Sequence, residues 1–418
     1  MQREAAVLVI GGGVIGICAA HYLLEKGRQV VVVEQGEVCS GSSYGNAGLV
    51  VPSHSVPLAE PGVISQGLKW MFDSRSPFYI KPRLDRELIS WLWKFRRACS
   101  EQHVRRSMPI LRDLSLESLR LFEELDDRKE LEFDFEQRGA FYICKDDRAL
   151  EHVIEEAQRI RAVGLEAEIL DAAQVQEVEP NVRLDVVGGV LYPQDAHLDP
   201  ARFVRALARS VEERGVEICP STEVLGFTIS GGRITGVRTT RGEIFPAEVV
   251  LAGGAWSPDI ARDLGIDLPI QPAKGYSVTV ERPPNCPTIP LMLAGARVGV
   301  TPMGDVLRFA GTLELAGMDL SINQRRVDAI LQAVPAYLPD LDPARLELVE
   351  IWRGLRPCTP DGLPFLGRSR RYGNLTVAAG HAMIGLSLGP ISGEIVSRLV
   401  VGEEPGFDLE LLRPERFG

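Results

Sequence analysis

VLVIGGGVIGICAAHYLLEKGRQVVVVE, residues 7–34, holds a complete structural unit in one short stretch. Val7 to Ile10 are aliphatic or β-branched and run into glycine, the mark of a short buried strand. Gly11, Gly13 and Gly16 follow in G-x-G-x-x-G spacing, after which Ala19, Ala20, Leu23 and Leu24 recur at helical intervals. Gly27 ends that helix, and a run of valines forms a second strand closed by Glu34. Strand, glycine turn, helix and strand, with an acid about twenty residues beyond the glycines, make a dinucleotide-binding unit. Gly11 permits the tight turn, Gly13 lets the backbone approach a pyrophosphate, and Gly16 lets helix and strand pack closely. Unpaired N–H groups at the helix start face the anion. Glu34 is suited to accept hydrogen bonds from both ribose hydroxyls and to repel a 2′-phosphate.

That unit suits NAD or FAD, and three other segments favour FAD. CSGSSYGNAGLV after Glu34 is a run of small residues able to lie along a pyrophosphate and then a flavin ring. EVVLAGGAWS (Glu248 to Ser257) is a strand ending in small residues, and NLTVAAGHAMIGLSLGPISGEIVSRLV (Asn374 to Val400) reads as strand, glycine turn and long helix. A flavin held through many turnovers needs backbone contact from several directions, which small residues at strand ends allow.

The remaining composition narrows the class. A chain of 418 residues suits two domains or one interleaved pair. A net charge of −11 argues against nucleic-acid binding, which needs basic surface. The seven cysteines are scattered, with no CxxC pair, so neither a zinc ribbon nor a disulfide framework is expected, and no metal site. Neither a signal peptide nor a run of about 18 apolar residues is evident. The expected setting is cytoplasmic, with peripheral contact on the inner face of the cell membrane as the alternative.

Seven motifs, GGGVIGICAAHYLLEKGRQVVVVE, SSYGNAGLV, LDPARFVRAL, VVLAGGAWS, PAKGYSVTV, GLRPCTPDGLPFLG and AAGHAMIGLSLGP, span nearly the whole chain. In order and spacing they resemble the D-amino-acid-oxidase-like superfamily of FAD-dependent oxidoreductases, and within it most resemble the D-amino-acid dehydrogenases. The resemblance implies an α/β protein: a glutathione-reductase-like Rossmann domain for FAD, interleaved with an α+β substrate domain on a mixed, largely antiparallel sheet. The FAD domain is expected from residues 1–50, 195–268 and 350–418, and the substrate domain from residues 51–194 and 269–349.

The resemblance also assigns positions. Gly11, Gly13, Val14, Ile15, Gly16, Glu34 and Gln35 would hold the ADP half, with the backbone of Val224 at the adenine. Ser42 and Ser43 would approach the phosphates, and Asn46, Ala47, Gly48 and Leu49 the isoalloxazine. Ala252, Gly253, Trp256 and Gly354 would pass beside the cofactor. Gly380, His381, Met383, Ile384, Gly385 and Leu386 would line the flavin's pyrimidine end, with a helix starting near Ile384 and its dipole aimed at the reduced ring.

For the substrate, Arg356 in GLRP would bind the α-carboxylate, since a guanidinium makes two parallel hydrogen bonds to it. Tyr276 in KGYS would donate to the same group or close the pocket, His381 would sit at the flavin edge, and His54 in VPSHS would reach the pocket. Met383 stands where glycine oxidases often carry a second arginine, which suggests apolar substrate side chains. Pro357, Pro360, Gly354 and Gly362 disfavour a helix here, so Arg353 and Arg356, three apart in an extended segment, should face opposite ways.

The implied reaction is oxidative deamination of D-amino acids, by hydride transfer from Cα to flavin N5, giving 2-oxo acids and ammonia. Electrons would pass to a quinone, another carrier or an artificial dye. Alternatives are a flavin enzyme for secondary amino acids such as hydroxyproline, proline or sarcosine, and a non-catalytic FAD subunit of an electron-transfer complex. The segment 84–100 places Leu84, Leu88, Trp91, Leu92 and Phe95 at helical spacing beside Arg96 and Arg97, suited either to a membrane surface or to packing on its own domain. Self-association as a homo-oligomer is compatible with the sequence.

Overall fold

The computed structural model describes residues 2–64 and 78–417; residues 65–77, inside the expected substrate-domain stretch, lie outside it. Two sheets organise the chain. At the centre of the first, strand Gln2–Ile10 lies parallel to Val30–Val33 on one side and to Gly242–Leu251 on the other. Glu217–Cys219 extends the sheet beyond Val30–Val33, and Leu375–Ala379 runs parallel to the end of Gly242–Leu251. The expected meander is present as Val224–Ser230, Arg233–Thr239 and Gly242–Leu251.

Successive side chains of these strands enter opposite cores, which explains their unbroken aliphatic sequence. Val7, Val9, Val30, Val32 and Val250 pack toward helices Val14–Glu25, Pro200–Glu213 and Gly389–Val401. Leu8, Ile10, Val31, Val33, Val249 and Leu251 pack on the other side with Ile234, Val237 and Leu264. Helices Val14–Glu25 and Gly389–Val401 approach closely, because Gly393 lies directly on the backbone of Cys18 and Gly389 on Val14.

The second sheet has nine strands and is mixed. Across it run Leu348–Cys358, Gln271–Glu281, Val306–Leu315, Val298–Met303, Leu291–Leu293, Ala140–Cys144, Gly188–Tyr192 and Glu168–Asp171, with Phe78–Ile80 added beside the end of Val306–Leu315. The boundary expected at residue 350 falls inside the first of these strands. Leu348–Cys358 pairs with Gln271–Glu281 from Leu348 through Cys358, so the ladder carries this segment into the second sheet.

The two faces of the second sheet differ sharply. Tyr276, Val278, Leu307, Phe309, Val298, Leu291 and Phe141 pack against helix Gln324–Tyr337. The inner face, read through the pairing register, carries the row Trp352, Ser277, Ala310, Gly299, Met292 and Tyr142. Its small central residues make room for the segment 42–54, which crosses from the first sheet. Helix Arg86–Ala98 buries Leu88, Trp91 and Phe95, and the Trp91 Nε1–H donates to the Cys358 carbonyl at 2.9 Å. Of the stripe read from the sequence, Leu88, Trp91 and Phe95 thus face the protein and Leu92 is half-buried, while Leu84, like Ile89 and Trp93, faces outward. Among the described residues no helix is long and apolar enough to cross a membrane.

Candidate active site

The glycine turn forms as its spacing predicts. Gly11 has φ +118°, and a Cβ there would collide with the Ala252 carbonyl, so only glycine lets the ends of Gln2–Ile10 and Gly242–Leu251 meet this closely. Gly16 lies against the Gly11 carbonyl. Helix Val14–Glu25 has no side-chain cap at Gly13, and its first N–H, on Val14, donates to Ser43 Oγ at 2.9 Å. The Glu34 carboxylate accepts from the N–H groups of Gly12 (2.7 Å) and Gly36 (2.9 Å) at the end of Val30–Val33. Thr222 N–H donates to the Glu34 carbonyl, which brings the start of the meander at Val224 to the same place. Open backbone at a helix N-terminus, a nearby hydroxyl and a ribose-height acid fit the pyrophosphate and ribose of a dinucleotide. Gln35 is exposed, so its backbone rather than its side chain is available there.

Beyond Ser43 the chain turns onto the inner face of the second sheet. Asn46 Nδ2 donates to the carbonyls of Ser42 (3.2 Å) and Ser43 (3.1 Å), and its Oδ1 accepts from Gly48 N–H at 2.9 Å. Below this loop, Ser277 Oγ donates to the Gly45 carbonyl at 2.8 Å. Arg308 donates to the Asn46 carbonyl at 3.0 Å and to Thr279 Oγ1 at 3.0 Å. Ala47 lies over Gly299. Ser387 Oγ donates to the Leu49 carbonyl at 3.0 Å and accepts from Val51 N–H at 3.1 Å, fastening the loop to the turn that contains Gly380 through Leu386. That turn is joined to the arginine strand by Ala382 N–H donating to the Pro357 carbonyl at 3.0 Å. Three separate chain segments therefore meet at one place.

Arg356 and Arg353 separate as the extended reading requires. Arg356 pairs with Ala273 in register and lies on the inner face, its guanidinium directly over Gly275, with Nη1 donating to the Thr312 carbonyl at 3.0 Å. No carboxylate among the described residues ion-pairs with it. Burial lowers its pKa, the signature of a cation removed from water without a counter-charge. Arg353 pairs with Tyr276, on the other face, and its Nε–H donates to the Leu320 carbonyl at 2.8 Å.

Several expected roles are corrected. Tyr276 lies on the helix side of the sheet, where its hydroxyl donates to Glu314 at 3.0 Å within a buried group that includes Lys274 and Arg326. Alternation places it opposite the site, so it cannot share a carboxylate with Arg356. His381 is 2% exposed, its Nε2 meets Ser392 Oγ at 2.9 Å, and burial pushes its pKa down to about 3. It stays neutral at physiological pH and shapes the turn. Met383 is 47% exposed and does not wall an enclosed pocket, whereas Ile384 and Leu386 are buried in the first core. The last helix begins at Gly389, not Ile384, because residues 381–388 form turns, so its dipole originates a full turn later. The inner side of Gly354 is covered by the Trp352 indole, which also stands against Gly45. Trp256 packs beside Gly41.

His54 meets Tyr142, with Nδ1 at 3.1 Å from the hydroxyl, at the far end of the inner row. There Leu49, Val51, Ala140, Tyr142, Pro290 and Met292 line a small, mainly apolar cavity. Sequence reasoning missed Trp352, Arg308, Ser277, Thr312, Met292 and Tyr142. Only Arg308 carried a signal, as a lone cation within an apolar strand; the others meet through cross-strand register.

The site contains titrating groups with a measurable consequence. Burial pushes the pKa of His21, His54 and His197 down to about 4 and that of His381 to about 3. The unfolded chain gains protons on these groups below about 6.5 that the folded chain refuses, so their contribution is intact above that pH and is lost as pH falls. Asp195, raised by burial to about 7, acts in the opposite sense, its contribution fading as pH rises toward 7. Glu156 and Asp126, also raised by burial, act with Asp195, but the four histidines titrate nearer this range, so the unfolding temperature should fall between pH 7 and pH 5. A flat or rising profile by scanning calorimetry would contradict the burial of these histidines.

The fold and the dinucleotide cradle fit a flavoprotein of the amine-oxidising kind. The chain belongs to the DAO family of FAD dependent oxidoreductases, whose family model matches residues 6–399, and FAD is its cofactor. It is 33% identical to the D-amino acid dehydrogenase of Granulibacter bethesdensis over 411 residues, covering 96% of this chain and 97% of that one. It is 34% identical to the D-amino acid dehydrogenase of Methylobacterium radiotolerans, with 96% of each chain covered. Among solved structures, glycine oxidase from Geobacillus kaustophilus shares the fold at a TM-score of 0.80 and 24% identity, with 99% of both chains covered. L-proline dehydrogenase from P. horikoshii does so at 0.76 and 22%, covering 100% of this chain and 98% of that one.

Proposed function

We propose that this chain oxidises D-amino acids with apolar side chains to 2-oxo acids and ammonia. The observation that carries the proposal is Arg356, a partly buried cation on the inner face with no carboxylate partner among the described residues. An anion delivered by the substrate completes it, and a planar α-carboxylate suits a guanidinium in two hydrogen bonds. The full-length likeness to D-amino acid dehydrogenases supports the choice of substrate class.

FAD, when bound, supplies the acceptor for the hydride that leaves Cα. The protein's part is orientation. Arg356 holds the carboxylate and so sets how Cα is presented. Met383, in place of a second arginine, supports the apolar preference. Neutral His381 is bound to Ser392 and carries no positive charge at physiological pH.

We assign a quinone as the electron acceptor. The support is the outward side of helix Arg86–Ala98, where Ile89 and Trp93 are exposed next to Leu84 and the Arg97 guanidinium stacks 4.6 Å from the Trp93 ring. Such a surface suits peripheral membrane contact. The test is a panel of D-phenylalanine, D-alanine, L-phenylalanine, glycine, sarcosine, D-proline and hydroxyproline, assayed with an artificial dye, a soluble quinone and oxygen. D-Phenylalanine should give the highest specificity constant, and the dye and quinone should outpace oxygen. A maximum at glycine, sarcosine or proline would overturn the substrate reading.

A further inference from the structure

The strand Val306–Leu315 is irregular where it passes the arginine. Tyr276 pairs with Gly311 and Lys274 with Glu314, so two residues, Thr312 and Leu313, stand opposite the single residue Gly275. This is a β-bulge, a device that re-aims side chains beside functional sites. Gly311 and Glu314 both face the helix side: a Cβ on Gly311 would meet Ile330, and Glu314 accepts from Tyr276. The two residues of the bulge serve the opposite face, where Leu313 packs with Ala273, Cys358 and Ala382.

Thr312 is the unusual member. It has φ +62°, a left-handed conformation that is strained for a β-branched residue and normally taken by glycine. Its carbonyl accepts from Arg356 Nη1, so the bulge fixes the guanidinium. Its Oγ1 is buried and has no hydrogen-bond partner among the described residues. A buried hydroxyl without a partner is costly, and here it sits on the residue that touches the carboxylate-binding arginine.

We propose that Thr312 is a second carboxylate ligand, its hydroxyl donating to the substrate carboxylate that Arg356 binds. The proposal rests on the reading of Arg356 as the carboxylate site. Glycine would satisfy the backbone at this position without strain, and threonine adds the hydroxyl.

Thr312→Val keeps the branch and the backbone demand while removing the donor, and Thr312→Ser restores the donor. The readouts are KM and kcat for D-phenylalanine, and binding of 3-phenylpropionate, which lacks the amine, followed by the flavin absorbance. Thr312→Val should raise KM and the dissociation constant of 3-phenylpropionate together, by about 10-fold to 100-fold, with kcat changed by less than about threefold. Thr312→Ser should recover most of the loss. The proposal fails if Thr312→Val leaves both constants within about twofold, if only the substrate and not 3-phenylpropionate is weakened, or if the serine variant is as impaired as valine. Arg356→Ala, measured alongside, separates the levels. If it loses activity and Thr312→Val does not, only the threonine assignment falls; if neither loses activity, the carboxylate site lies elsewhere.

Discussion

Replacing Arg356 with alanine is expected to lower kcat/KM for D-phenylalanine by roughly 1,000-fold, about 4 kcal/mol, while the purified protein remains yellow. The size of the effect follows from where the guanidinium lies. It is partly buried over Gly275, tied to the Thr312 carbonyl, with no carboxylate neighbour among the described residues. Without it, a substrate carboxylate must leave water for a surface that offers no cation. Lysine should recover little, because an ammonium cannot reproduce the planar pair of donors. FAD retention is expected because the dinucleotide cradle uses Gly11, Val14, Glu34 and Ser43, none of which touches Arg356. Arg353→Ala is the internal control: its side chain leaves the other face of the same strand, toward Leu320. Equal losses in the two variants would show a fault in the strand and not a role for the guanidinium.

A quieter substitution should be nearly as damaging. Gly275→Ala adds one methyl group at a residue with ordinary backbone geometry, deep in a well-paired strand. That methyl would occupy the place of the Arg356 guanidinium. The obstacle is the far end of a flexible side chain, so the strand can keep its register while the guanidinium is displaced. The expected result is a folded, FAD-loaded protein with an unchanged unfolding temperature and kcat/KM reduced by about 100-fold, since small misplacements of positioning groups cost that much. Loss of FAD or of folding would mean that Gly275 serves the sheet itself, and unchanged kinetics would mean that Arg356 does not need its present position.

The parts of this architecture that depend on local pattern were legible in the sequence. The valine strands, the G-x-G-x-x-G turn and the meander at residues 224–251 all formed where the residue types place them. The opposite facing of Arg353 and Arg356 followed from period-2 geometry alone. Tyr276 was misplaced for a related reason: alternation says that neighbours face opposite ways, but it does not say which face meets the cofactor. That is fixed by the strand's partners, here by Ser277 reaching Gly45 and Tyr276 reaching Glu314. The bulge at Thr312 left no mark at all, because TLEL alternates like any regular strand and the irregularity exists only in pairing with Gln271–Glu281. The helix start near Ile384 was read one turn early, since the apolar residues of turn 381–388 are as helix-compatible as those that follow.

The close seat of Gly393 on Cys18 and of Gly389 on Val14 has a bearing on folding. The helix that braces the glycine turn, and the strand Leu375–Ala379 beside Gly242–Leu251, lie more than three hundred residues further along the chain. Without that helix the apolar side of Val14–Glu25 is uncovered, so the contacts that close the cradle are long-range ones. Such long-range pairing makes maturation slow. The dinucleotide cradle is therefore complete only when the two remote parts of the chain have met.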